Sequence, residues 1–144
     1  MAITSLAGLP SSEPFTTSPV SRRDALALPS GPAVRTVLRI VDAWGLGRDQ
    51  AMALLGVDST TVWSAWKKTP DDARLKLHSI ERISNVLGIY RALHTLFGEE
   101  SADAWVRTPN TGKLFGGAAP IERMTGFVEH LVEVRRRLDA EVHR

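Results

Sequence analysis

The sequence contains no cysteine in its 144 residues. Disulfides, thiolate metal sites and thiol nucleophiles are thereby excluded, and nothing argues for an oxidising compartment, so a cytoplasmic protein is expected. Histidine is scarce too. His78, His94, His130 and His143 include no pair four residues apart and no HExxH arrangement, so no metal site is expected. No run of about 18 apolar residues exists to span a membrane. A secretory signal is not expected either, because no base precedes Arg22, and Pro10 and the early Ser and Thr residues interrupt any apolar stretch. Charge of one sign is nearly lacking as well: 18 Lys and Arg against 16 Asp and Glu leave +2, with the excess between residues 34 and 98. Attraction to a polyanion must therefore come from local placement rather than bulk charge.

The usual catalytic and nucleotide motifs are absent in the same way. Gly45-Leu46-Gly47 lacks a third glycine and a preceding strand, and Gly112-Lys113 is followed by Leu114 where a phosphate loop needs Ser or Thr. There is no GxSxG elbow. Glu129 and Glu133 share a helix face, but Glu133 also precedes Arg137 by four residues, which reads as a solvated ion pair. No catalytic residue and no cofactor are expected, and the chain reads as a binding protein rather than an enzyme.

What remains is a chain long enough for one compact unit, or for one unit with a small appendage, at 43% apolar residues. Residues 1 to 31, with Pro10, Pro14, Pro19 and Pro29, read as a flexible arm: either a tail or a segment that folds on a partner. From Pro32 the period becomes helical through Val34, Val37, Leu38, Val41 and Trp44, and Gly45 and Gly47 stop it. A short helix is expected from Arg48 to Leu55, with Gly56 as its left-handed exit. Another follows Asp58 or Ser59 and runs to Lys68 with Val62 and Trp66 inward. The spacing then predicts a long helix from Asp71 to Phe97, a short one from Glu99 to Arg107, a loop from Thr108 to Ala119, and a last helix from Pro120 to the terminus, with Phe127 in its inward stripe. No alternating strand or internal repeat occurs, so the expected fold is all-α.

The second and third helices form helix-turn-helix grammar, with Ala51 at the close approach and Val57, Val62 and Trp66 as core plugs. The organisation expected is an arm at 1–31, a helix-turn-helix part at 32–70 and a helical dimerisation and partner-binding part at 71–144. In a DNA-binding unit of this kind the third helix enters the major groove. Ser59, Thr60, Ser64, Lys67 and Lys68 are its DNA-contacting candidates, with Trp63 half-buried beside Trp66. Short hydroxyls reach bases or phosphates and lysines neutralise phosphate, whereas no Arg, Asn or Gln offers a bidentate base contact. Arg35, Arg39 and Arg48 either add phosphate contacts or are solvated surface charges. A helix pair used only for packing is the alternative. The stripe at Leu77, Ile80, Ile83, Leu87 and Tyr90 is too wide for one face, which points to a core buried on two sides or to a homodimer.

In the C-terminal half, Phe97-Gly98, Trp105, Thr108-Pro109-Asn110, Phe115-Gly116-Gly117 and Ala119-Pro120-Ile121-Glu122-Arg123-Met124 occur in that order after the helix-turn-helix. This arrangement resembles the toxin-binding domain of the Xre, MbcA and ParS antitoxins, over about residues 34 to 140. The chain departs from that pattern in its Thr111-Gly112-Lys113-Leu114-Phe115 loop and in a third helix poor in arginine. The resemblance implies an antitoxin of a type II toxin-antitoxin system. Its partner would be a RES-domain toxin that consumes NAD or transfers its ADP-ribose, with the terminal helix blocking the NAD pocket and operator DNA as a second partner. It would act as a homodimer within a heteromeric complex. On this reading Arg135, Arg136, Arg137 and Arg144 meet toxin carboxylates or fill dinucleotide space, and Asn110, Lys113 and Phe115 contact the toxin from the loop. A mixed-charge helix that is simply solvated is the plainer alternative. The rivals in function are a helix-turn-helix transcriptional regulator without a toxin and an adaptor with no DNA role.

Overall fold

The computed structural model describes residues 30–144, so the arm expected at 1–31 lies outside the described residues except for its last two. Among the described residues there are seven α-helices and no strand, as the all-α expectation required.

Helix α1 spans Gly31–Ala43 and buries Val34, Val37, Ile40 and Val41, the stripe expected from their spacing. It begins one residue ahead of Pro32, and Ser30, flanking it, donates from its hydroxyl to the Ala73 carbonyl at 3.0 Å. Helix α2 spans Arg48–Leu55. Gly56 ends it at φ +72°, a left-handed conformation that glycine adopts without Cβ strain, and the Val57 amide closes the turn onto the Met52 carbonyl at 2.9 Å. Helix α3 spans Thr60–Lys68, and the Ser59 hydroxyl accepts from the Val62 amide at 3.3 Å.

One face of α3 differs from expectation. Trp63 and Trp66 are buried, their rings 6.3 Å apart, while Val62 is 41% exposed. The helix is rotated by about one residue because two indoles three positions apart bury far more apolar surface than one indole and one valine. Trp63 is thus a core residue, and Val62 is not a core plug.

The long helix is shorter than its pattern suggested. Pro70–Asp72 form a 3-10 turn, residues 73–76 run on without helix, and α4 spans Leu77–Leu96. Asp71 is held by Arg35, and the Ala73 carbonyl is held by Ser30, so this segment is tied to the start of α1 instead of extending the helix. Helix α5 spans Glu99–Trp105. After the loop, the expected last helix is two: α6 spans Pro120–Met124 and α7 spans Val128–Val142. Between them Thr125 returns its hydroxyl to the Ile121 carbonyl at 3.0 Å, and Phe127 turns out to 73% exposure instead of joining the inward stripe.

A single hydrophobic core runs through the described helices, with Trp44, Leu54, Leu55, Ile89, Leu93, Met124 and Leu131 wholly enclosed. Each such side chain contributes on the order of 1.5–3 kcal/mol. Helix α4 is the central element, packing on α1, α2, α5 and most extensively α7. Its broad apolar belt is largely consumed inside the chain. Ile80 and Ile83 are buried at 8% and 3% exposure, Leu87 and Tyr90 are part-buried, and Leu77 is half exposed. Helices α4 and α7 run in the same direction: Arg82 meets Gly126 near their starts, and Leu96 and Leu138 line one groove near their ends. No helix among the described residues is long and apolar enough to cross a membrane.

Candidate functional site

Two surfaces emerge, one on each half, and a buried arginine joins them. On the first, α3 directs Thr60, Ser64, Lys67 and Lys68 to solvent, as expected of DNA-contacting residues, and exposes Thr61, Val62 and Ala65 with them. The Ser59 hydroxyl is engaged in capping the helix, so its first duty is structural. Beside α3 a hollow of about 270 Å³ is walled by Leu38, Leu46, Arg48, Trp63 and Lys67. Of the flanking cations, Arg35 is paired with Asp71 and Arg48 reaches Asp49 at 3.3 Å.

Arg82 went unremarked in the sequence. Its guanidinium lies at the heart of the molecule, donating to the Leu54 carbonyl at 3.2 Å, to the Met124 carbonyl at 3.3 Å, and to the Gly126 carbonyl. Those oxygens end α2 and α6 and shape the α6–α7 joint, where carbonyls lack helical partners. Burial pushes the Arg82 guanidinium below its ordinary pKa, while Glu81 and Glu129 act in the opposite sense. His78 Nε2 and the Ser79 hydroxyl also donate to the Gly56 carbonyl, at 2.8 and 3.1 Å. The end of α2 and the turn after it are therefore tied to the first two turns of α4 by His78, Ser79 and Arg82. The available signal was a cation in register with the buried Val86, Ile89 and Leu93.

The second surface lies at the far end of α4 and α7. In the loop, Asn110 accepts from the Gly112 amide at 2.8 Å through its side chain and from the Gly117 amide at 2.8 Å through its backbone, so it organises the turn. Phe115 stacks edge-on against Trp105 with centroids 5.6 Å apart, which part-buries it, and Lys113 is exposed. Together with Leu96, Phe97, Arg137, Leu138 and Glu141, the Trp105, Asn110 and Phe115 side chains line a groove of about 290 Å³, which Lys113 does not join.

The run Arg135-Arg136-Arg137 separates into different roles. Arg135 is part-buried, donating to the Ser84 carbonyl at 3.3 Å and reaching Asp139 at 3.4 Å. It fills the space over Gly88, where a Cβ would stand 2.4 Å from its Nε. Arg144 pairs with Glu141 at 2.8 Å. Arg136 and Arg137 are exposed and have neither a hydrogen bond nor an ion pair among the described residues. Nearby on α4 and α5, His94 Nε2 meets Asp103 at 2.9 Å beneath the Tyr90 ring, 4.1 Å from centroid to centroid. Burial raises the Tyr90 hydroxyl above its usual pKa, with Asp103 and Glu99 adding to the rise and Arg39 opposing it. No cluster of three metal-binding side chains occurs among the described residues.

The family model for the Antitoxin Xre-like helix-turn-helix domain matches residues 25–88, and that for the Antitoxin Xre/MbcA/ParS C-terminal toxin-binding domain matches residues 92–144. The chain belongs to the Xre/MbcA/ParS antitoxins. It is also similar to the uncharacterized protein y4oB of Sinorhizobium fredii, at 39% identity over 105 residues, which is 72% of this chain and 78% of that relative. The junction between the two matches falls inside α4, so one continuous helix joins the two domains of this antitoxin. Every residue lining the groove lies within the toxin-binding match, and the α3 surface and Arg82 lie within the helix-turn-helix match. A toxin is therefore the partner of the C-terminal half.

Proposed function

We propose that this antitoxin neutralises a RES-domain toxin by covering the toxin's NAD-binding site with its C-terminal half, and that it acts by occlusion and performs no reaction itself. The observation that carries this reading is the pair of exposed guanidiniums, Arg136 and Arg137, left unpartnered among the described residues while Arg135 on the same helix and Arg144 just beyond it are internally satisfied. Unpaired planar cations suit both toxin carboxylates and a surface shaped for dinucleotide phosphates. Arg135 and Arg144 are structural on this view, while Lys113 and the edge of Phe115 remain at the contact.

The test is NAD consumption by the toxin as the antitoxin is titrated. Loss of NAD turnover at stoichiometric antitoxin is expected, and undiminished turnover at excess refutes the reading. Charge reversal at Arg136 and Arg137 is a cleaner probe than truncating α7, because Val134 and Leu138 belong to the core. The α3 face, with Thr60, Ser64, Lys67 and Lys68 outward, is assigned to the operator, giving autorepression as a second activity. Self-association is assigned to the part-exposed Leu77, Leu87 and Tyr90; the buried Ile80 and Ile83 support that face from behind.

A further inference from the structure

We infer that the groove between α4, α5, the glycine loop and α7 is an anchor pocket. It receives one large apolar side chain of the toxin, and an adjacent toxin carboxylate pairs with Arg137. This rests on the toxin-binding reading and names what that surface holds. The groove is small and open at the surface. At about 290 Å³ it lies just below the usual size of ligand-binding pockets, roughly 300–1,000 Å³. It is large enough for a single projecting side chain, the geometry in which interface energy concentrates.

Its lining sets the chemistry. Leu96, Phe97, Trp105 and Leu138 supply an apolar floor, and Phe97 keeps 41% of its surface in water. The rim groups are mostly spoken for. Glu141 holds Arg144, and the Asn110 side chain holds the Gly112 amide. Arg137 alone among the charged rim residues has no partner among the described residues, so the rim offers one unsatisfied positive charge. An apolar side chain next to Asp or Glu complements that pattern; a basic or uniformly polar segment leaves the floor wet and the charge opposed. The whole lining lies inside the toxin-binding match; Phe127, more exposed at 73% and within the same match, is at the opposite end of α7 and outside the groove.

The experiment places the photo-reactive p-benzoylphenylalanine at position 97, and separately at 127, in the full chain co-purified with its cognate RES-domain toxin. Crosslinked peptides are then sequenced. Crosslinking from position 97 to a toxin segment with a large apolar residue beside Asp or Glu is expected, with none from 127. A crosslink from 97 to a second copy of this chain, to residues 1–29 of the same chain, or to no toxin segment within an intact complex overturns the inference. In parallel, Phe97→Ser and Arg137→Glu should each weaken toxin binding about thirty-fold, the scale of an interface hot spot, in excess of any loss of thermal stability that the free variant itself shows. Unaltered affinity in both variants also overturns it. Failure of the wild-type chain to bind the toxin at all overturns the toxin-binding reading itself, which distinguishes the two failures.

Discussion

The outward face of α3 and the groove at the end of α7 solve opposite problems. On α3 the two large aromatics face inward and seal the core, leaving hydroxyls and two lysines outside, a surface that loses little in water and whose chemistry suits phosphate. At the groove the chain instead leaves part of Phe97 in water beside an unpaired Arg137, a surface that is improved by being covered. The contrast teaches how one small helical core can present two surfaces of different chemistry, a hydroxyl and lysine face suited to a polyanion and a partly apolar groove suited to a protein. Arg82 is what makes the two ends one object, since its guanidinium grips both the end of α2 and the α6–α7 joint.

The strongest way to break this comparison is to cut that link. Arg82→Met should lower folding stability by roughly 3 kcal/mol, because it strands buried carbonyls of Leu54 and Met124 without donors. Chemical denaturation followed by tryptophan fluorescence, which reports Trp44, Trp63 and Trp66 in one half and Trp105 in the other, checks it. Arg82→Lys should recover only part, since one ammonium cannot reproduce the planar fork. Wild-type stability in Arg82→Met would mean that the apolar core alone holds the halves together.

A smaller effect is expected at the turn before α3. Gly56→Ala places a Cβ 2.7 Å from His78 Cδ2 at a φ of +72°, and a loss of about 1–3 kcal/mol in the same denaturation assay is expected. Ser59→Ala should cost about 1 kcal/mol by removing the α3 cap. A loss of DNA affinity much larger than that fold effect would make Ser59 a base or phosphate contact instead.

To sharpen the contrast in charge, Lys67→Ala with Lys68→Ala should flatten the salt dependence of duplex DNA binding. The slope of log affinity against log salt should fall by roughly 1.8, at about 0.9 per phosphate contact, with toxin inhibition untouched. An unaltered slope removes these lysines from the DNA interface. The smallest effect belongs to Phe127→Ser, which should change stability by within about 0.5 kcal/mol because the ring is 73% exposed. A large loss would reveal that the outward turn at the α6–α7 joint is itself covered in the working assembly.

The helix-turn-helix, a cap at Asp58 or Ser59, the glycine exit at Gly56 and the aromatic and glycine-rich order of the C-terminal half were legible in the residues, because periodicity, caps and left-handed turns are local properties; the structure chose Ser59. The apolar period also placed α1 and most of α4 without help. What local pattern could not decide was which of two adjacent apolar residues faces the core, as with Val62 and Trp63, since that depends on the space the other helices leave. Nor could it separate Arg135, held against Gly88 and the Ser84 carbonyl, from Arg136 and Arg137 beside it. Three identical side chains in a row become a structural clasp and two free cations only when α7 is laid along α4. The same packing turned Arg82, one more charge on a long helix, into the bond between the halves. The order of residues determined the helices and the family; the enclosure of particular carbonyls, rings and cations was decided by how those helices meet, because burial and hydrogen-bond partnership are properties of neighbours distant in the chain.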